Sequence, residues 1–150
     1  MAKARTLIVA ALLVGVAACG RAVQTASFAT FAEARQSGAV ERGWVPAVLP
    51  AEAFELRAAY DTRGSQRWGL FNFRPDDGDA LRAIVEPQEI SLAGTVMDIP
   101  ARIEWWPVQL RGTLDAERIS ATGLRAYRAR SEPLVIAVNW KQGRAYYWTP

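Results

Sequence analysis

Leu124 to Trp148 reads LRAYRARSEPLVIAVNWKQGRAYYW, and this stretch decides the fold. Leu134 to Trp140 is a near-continuous apolar run, the pattern of a central strand covered on both faces. Ser131-Glu132-Pro133 before it and Lys141-Gln142-Gly143 after it are turn sequences, with Gly143 suited to a positive φ. On one side, Leu124, Ala126 and Tyr127 alternate imperfectly with Arg125, Arg128 and Arg130. On the other, Arg144 to Trp148 forms a last strand. Short turns between successive strands demand antiparallel pairing, so the chain closes on a three-stranded meander.

Working back from the meander, Thr113 or Asp115 can cap a short helix that runs to about Thr122, with Gly123 after it. The stretch 88–113 is less regular, and Ile90, Leu92, Val96 and Ile99 suit a short strand or an ordered loop. Pro75-Asp76-Asp77-Gly78-Asp79 opens a helix whose acidic groups complement its positive end, with Leu81, Ile84 and Val85 on the buried side. Phe54, Leu56, Ala58 and Tyr60 alternate with Glu55, Arg57 and Ala59 as a half-buried strand. A turn at 61–65 leads into a second strand over Gln66 to Arg74, so the pair is a hairpin. Thr30-Phe31-Ala32-Glu33 has capping-box spacing and predicts a helix over 31–37, ended by Gly38. Between that helix and the hairpin, Pro46 and Pro50 disfavour regular structure, and Trp44, Val45 and Leu49 can pin the segment to a core. The expected fold class is α+β: an antiparallel sheet with a C-terminal three-stranded meander and short helices packed on one face.

The N-terminus sets the compartment. Lys3 and Arg5 precede an uncharged apolar run from Leu7 to Ala18, too short to span a bilayer but the right size for a signal-peptide core. It ends Val16-Ala17-Ala18-Cys19, the arrangement of a bacterial lipobox. The expectation is a lipoprotein signal peptide over 1–18, a lipidated Cys19 with a tether over 19–27, and one α+β domain over 28–150. Cys19 is the only cysteine, so no internal disulfide can form. Gly20, where an Asp would signal inner-membrane retention, leaves the outer membrane, facing the periplasm, as the expected location.

Charge and chemistry exclude much. Taking Lys3 and Arg5 from the 18 basic residues leaves 16 against 15 acids, a net charge of +1. Such a balance carries no electrostatic case for nucleic acid. The chain has no His, which excludes Ser–His–Asp and Cys–His catalysis and His-based zinc sites. No phosphate-cradling glycine loop or G-x-S-x-G pattern appears, and no cofactor is expected. The acidic run Asp76-Asp77-Gly78-Asp79 lacks the twelfth-position Glu of an EF-hand loop, and a helix start accounts for it without a metal.

Six tryptophans stand out. Trp105-Trp106 and Tyr146-Tyr147-Trp148 are adjacent aromatics, and neighbours in a strand point to opposite faces. One face of each cluster therefore needs cover. Trp105, Trp106, Tyr146 and Trp148 are the candidate binding residues if that cover is a ligand, and core residues if it is a helix or the 88–113 segment.

The run Gly38-Ala39-x-x-Arg42-Gly43-Trp44-Val45-Pro46-x-x-Leu49-Pro50 resembles the YbbD head domain of small, uncharacterised bacterial lipoproteins. Asp61-Thr62, Trp68, Phe71-x-Phe73, Trp105-Trp106-Pro107 and Gly143-Arg144-x-Tyr146 fit the same pattern, so the resemblance extends over about 28–149. Members often carry a His in the first strand, where this chain has Arg57 or Ala59. The resemblance implies a compact domain at the cell envelope and brings no activity or site residues.

The expected function is therefore a lipid-anchored envelope protein that binds another protein or a cell-wall component. It would touch the membrane through its N-terminal lipid. The alternative is a small cell-wall glycan hydrolase using two carboxylates. Glu104, beside Trp105-Trp106, is then the acid to test.

Overall fold

The computed structural model describes residues 22–150, so the expected signal peptide and Cys19 lie outside the described residues. Two antiparallel blocks build one six-stranded sheet. The first is β1 (Val23–Thr30), β2 (Phe54–Asp61) and β3 (Arg67–Asn72). The second is the meander of β6 (Arg125–Arg128), β7 (Val135–Asn139) and β8 (Arg144–Trp148). β3 and β8 join them, with Trp68 opposite Trp148 and Leu70 opposite Tyr146. The strand order is β1-β2-β3-β8-β7-β6. A two-stranded ribbon, β4 (Val96–Met97) with β5 (Gly112–Thr113), stands apart in the segment before the meander.

The central strand behaves as its composition demands: all five residues of β7 are buried. Their side chains divide between two cores. Ile136 and Val138 face one with Phe71, Phe73 and Tyr147, while Val135 and Ala137 face the other with Trp68, Trp106 and Trp148. A strand's period of two sends alternate residues to opposite faces, so a fully apolar strand requires two covers.

The helices supply both covers, which corrects the expectation of a single helical face. α1 (Phe31–Gln36) and α2 (Gly78–Ile84) bury Phe31, Ala34 and Leu81 in the first core. α3 (Ala116–Ala121) buries Ile119 in the second, beside Leu92, Met97 and Leu110 from the irregular 88–115 stretch. Among the described residues no helix is long and apolar enough to cross a membrane.

Local signals formed as expected. The Thr30 hydroxyl accepts from Glu33 N at 3.2 Å, and the Glu33 carboxylate accepts from Ala29 N at 2.8 Å, a capping box that reaches one residue further back than the usual form. Asp115 caps α3 by accepting from Arg118 N at 2.8 Å. Asp76 and Asp77 sit in a 3-10 turn begun by Pro75, and neither makes a side-chain cap, so their fit to the helix start rests on the dipole. Val45 and Leu49 are buried as expected, and Trp44 stacks on Tyr60 with ring centroids 4.1 Å apart.

The folded domain begins earlier than the expected residue 28, at Val23. Gln24 to Ser27 look like linker residues, yet they pair with β2 as the outer strand of the sheet. Main-chain hydrogen bonds hold an edge strand whatever its side chains are, so small polar residues suffice.

Candidate functional site

Trp106 is the hub of an aromatic knot. Its ring lies 5.8 Å from Tyr146 and 6.0 Å from Trp148, both edge-on, and 6.0 Å from Trp105. Its indole N–H donates to Leu110 O at 2.8 Å. With that donor satisfied, Trp106 is only 2% exposed and Trp148 only 3%. The four aromatic candidates are thus brought together, but Trp106 and Trp148 are core, and the 88–115 stretch is their cover. Trp148 borders only a recess of about 330 Å³ against Leu92 and Met97. Trp105 and Tyr146 are half-buried and remain available to a ligand.

These two line a cleft of about 650 Å³ over β1, β2, β3 and β8. A second concavity of about 490 Å³ shares Ser27, Arg57 and Trp105 with it and continues outward past Arg102 and Glu104. Trp105 stands where the two meet. Its place follows from the chain path: Arg111 donates from Nε to Trp106 O at 3.2 Å and from a terminal nitrogen to Ile103 O, tying down the turn that presents Trp105.

The floor of the cleft holds three polar side chains in a row. Asn72 is only 9% exposed. Its amide nitrogen donates to Glu55 Oε2 at 2.5 Å, and its amide oxygen accepts from Arg144 Nε at 2.9 Å. A carboxylate can only accept and a guanidinium can only donate, so the two neighbours dictate which way the amide points. By contrast, Asn139, the other buried polar residue, has a plain structural task. It donates to Thr122 O at 3.0 Å and accepts from Gln142 N at 2.9 Å, joining the end of α3 to the β7–β8 turn.

Glu55 reaches Asn72 through an unusual backbone. Its φ is +50°, the one positive value at a non-glycine residue among the described residues. The register between β2 and β3 slips at the same place, between Phe54 and Arg57. A bulge re-aims a side chain at a local conformational cost of about 1 kcal/mol. Here the re-aimed group is a carboxylate laid against a buried amide at the cleft.

The sequence pointed to Trp105, Tyr146 and Glu104, and all three border this cleft or its extension. It missed Glu55, Asn72 and Arg144. Phe54 to Tyr60 alternates well enough to hide a bulge, and Asn72 has no local mark of burial. Among the described residues no group of three carboxylates, thiols or imidazoles converges as a metal site would require.

Residues 23–72 match the family model of the YbbD head domain, which bears out the resemblance read from the sequence. The match takes in β1, α1, the Pro46–Pro50 segment, β2 and β3, and with them Glu55, Arg57 and Asn72. Trp105, Arg144 and Tyr146 lie beyond it. No curated protein and no solved structure matches the chain.

Proposed function

We propose that this chain is a lipid-anchored envelope protein, held at the outer membrane through Cys19, whose folded part is a binding module with the cleft at Trp105 as its ligand seat. The observation that carries the reading is the convergence, in one cleft, of a half-buried Trp105 and Tyr146 with the Glu55–Asn72–Arg144 row. A half-open aromatic pair supplies contact area, and a few oriented polar groups supply specificity. The strained backbone of Glu55 holds its carboxylate on Asn72 at the cleft floor. The lipid anchor itself rests on the sequence at 1–19.

The test is in-cell crosslinking from position 104, on the rim beside Trp105, of the tagged, anchored protein, with mass spectrometry of the product. A dominant species lost in Trp105→Ala and weakened in Cys19→Ala supports a cleft ligand met at the membrane. Labelling unchanged by Trp105→Ala removes the cleft from the reading.

One observation favours a second reading, glycan hydrolysis by two carboxylates. Glu55 and Glu104 border adjoining concavities on either side of Trp105. A general acid needs a desolvating pocket, and both residues are exposed, which ranks this reading second. Cleavage of purified cell wall that disappears in Glu104→Gln would promote it, and no cleavage by the intact protein would end it.

A further inference from the structure

The two edges of the sheet are finished differently. At β6 the 84–90 stretch closes the edge: Ile90 N donates to Ala126 O at 2.9 Å, Glu86 N to Arg128 O at 2.8 Å, and Arg130 N to Ile84 O at 2.9 Å. At β1 no main chain among the described residues pairs with the outer side of the strand.

The register shows which β1 groups are free. Thr62 N donates to Ala22 O at 2.9 Å, and Val23 to Phe28 run opposite Asp61 to Leu56 without a slip. Bonding alternates along an antiparallel strand, so Gln24, Ala26 and Phe28 bond toward β2 while Val23, Thr25, Ser27 and Ala29 turn their N–H and C=O outward. Two of the outward groups are taken by side chains. Arg102 Nη1 donates to Val23 O at 3.2 Å, and Glu33 accepts from Ala29 N at 2.8 Å. Between these stops, the N–H and C=O of Thr25 and Ser27 have no partner among the described residues.

Edge strands are normally guarded by charge, proline or a bulge. Val23–Thr30 has no charged residue and no proline, and its pairing register is regular from Val23 to Phe28. The side chains beside the free stretch are not neutral, however. Arg57, opposite Ser27, shares a face with Thr25 and Ser27 and borders the outer concavity together with Arg102, Glu104 and Trp105. Arg57 has no ion pair among the described residues, so two guanidinium groups face one carboxylate there.

We infer that β1 accepts an extended segment of a partner protein as a seventh strand, with an acidic side chain of that segment laid between Arg57 and Arg102. Strand addition draws affinity from the main chain and selectivity from alternate side chains that enter neighbouring pockets. The open Thr25 and Ser27 groups provide the first, and the concavity at Trp105 provides the second. A second copy of this chain is the poorer occupant. It would bring only Thr25 and Ser27 to the concavity and would double Arg57 and Arg102 on one face. The inference rests on the binding-module reading and names the partner's chemistry.

The test uses the full-length protein in nanodiscs and two synthetic octapeptides, one alternating valine with glutamate, the other valine with lysine. Amide hydrogen exchange is followed residue by residue. The glutamate peptide is expected to slow exchange at Thr25 and Ser27 by at least about tenfold, and the lysine peptide is not. Ser27→Pro removes an outward N–H that β2 does not use, so it should abolish the effect while Gln24, Ala26 and Phe28 stay protected. Unchanged exchange at Thr25 and Ser27 with millimolar glutamate peptide overturns the inference. Equal slowing by the lysine peptide overturns it too, as does protection that rises with protein concentration alone, the mark of a second copy. Partner crosslinking that needs Trp105 but survives Ser27→Pro would leave the cleft reading standing and remove strand addition.

Discussion

The two faces of the sheet are built from the same strands and finished to different degrees. On the first face, α1, α2 and the 39–53 segment close over Phe71, Phe73 and Tyr147. On the second, the 88–124 chain closes over Trp68, Trp106 and Trp148 but stops at Trp105, leaving β1, β2 and the far end of β3 under an open cleft. The first face is open only near its Trp44–Tyr60 end, where a concavity of about 660 Å³ lies, whereas the second stays open over the Glu55–Asn72–Arg144 row. Under the proposed reading, the second face joins a packed core to the ligand seat.

The largest expected effect breaks the closed face. Phe71 is fully buried between Phe73 and Tyr147. Phe71→Ala should cost about 4 kcal/mol, measured by urea unfolding. A cost below about 1 kcal/mol would mean that this face is loosely packed.

Gly69 comes next. A Cβ there would lie 2.0 Å from Tyr147 Cζ, because the strand backbone passes directly beneath the phenol ring. Gly69→Ala should therefore cost about 3 kcal/mol, since a buried ring must move. A wild-type melting temperature for this variant would show that the ring has room.

A smaller effect of opposite sign is expected at the tip of the same ring. Tyr147 Oη is buried with no hydrogen-bond partner among the described residues. Burial pushes its pKa up from the ordinary 10.0; Arg67 pulls the other way and Glu132 adds slightly to the rise. A raised acid holds its proton in the folded state while the unfolded chain ionises. Its contribution is then complete below pH 10 and is lost as the pH climbs beyond it. Tyr147→Phe should raise stability by about 1 kcal/mol at neutral pH and flatten the alkaline decline, both read from melts across pH. A loss of stability would reveal an unseen partner for the hydroxyl.

The smallest stability effect belongs to the open face. Trp105→Ala removes a half-buried ring at the cleft rim and should cost less than about 1 kcal/mol while abolishing ligand capture. A cost near that of Phe71→Ala would sharpen the comparison the other way and make Trp105 part of the core.

Particular residues show how far the sequence could be read. Thr30 and Glu33 marked the start of α1, and the pair of candidates Thr113 and Asp115 bracketed that of α3, where Asp115 is the cap, because a cap is made by residues three apart. The meander was legible because short turns force neighbouring strands to pair. Val23 to Ser27 was not, since these residues join the sheet only through β2, some thirty residues on, and bury little beyond Val23. Glu55 was hidden for a related reason: a bulge is a mismatch between two strands, and neither strand shows it alone.

By itself, then, the chain's sequence determined the helix starts, the hairpin, the meander and the need for two covers over β7, all of which depend on neighbours within a few residues. Only the tertiary structure decided that β8 would pair with β3, that α3 would pack on the face opposite α1 and α2, and that Trp106 would be buried while Trp105 met the cleft. The physical reason is distance along the chain. Adjacent tryptophans look alike until the 88–115 segment settles on the sheet, and the segment's path is set by packing between residues far apart in sequence.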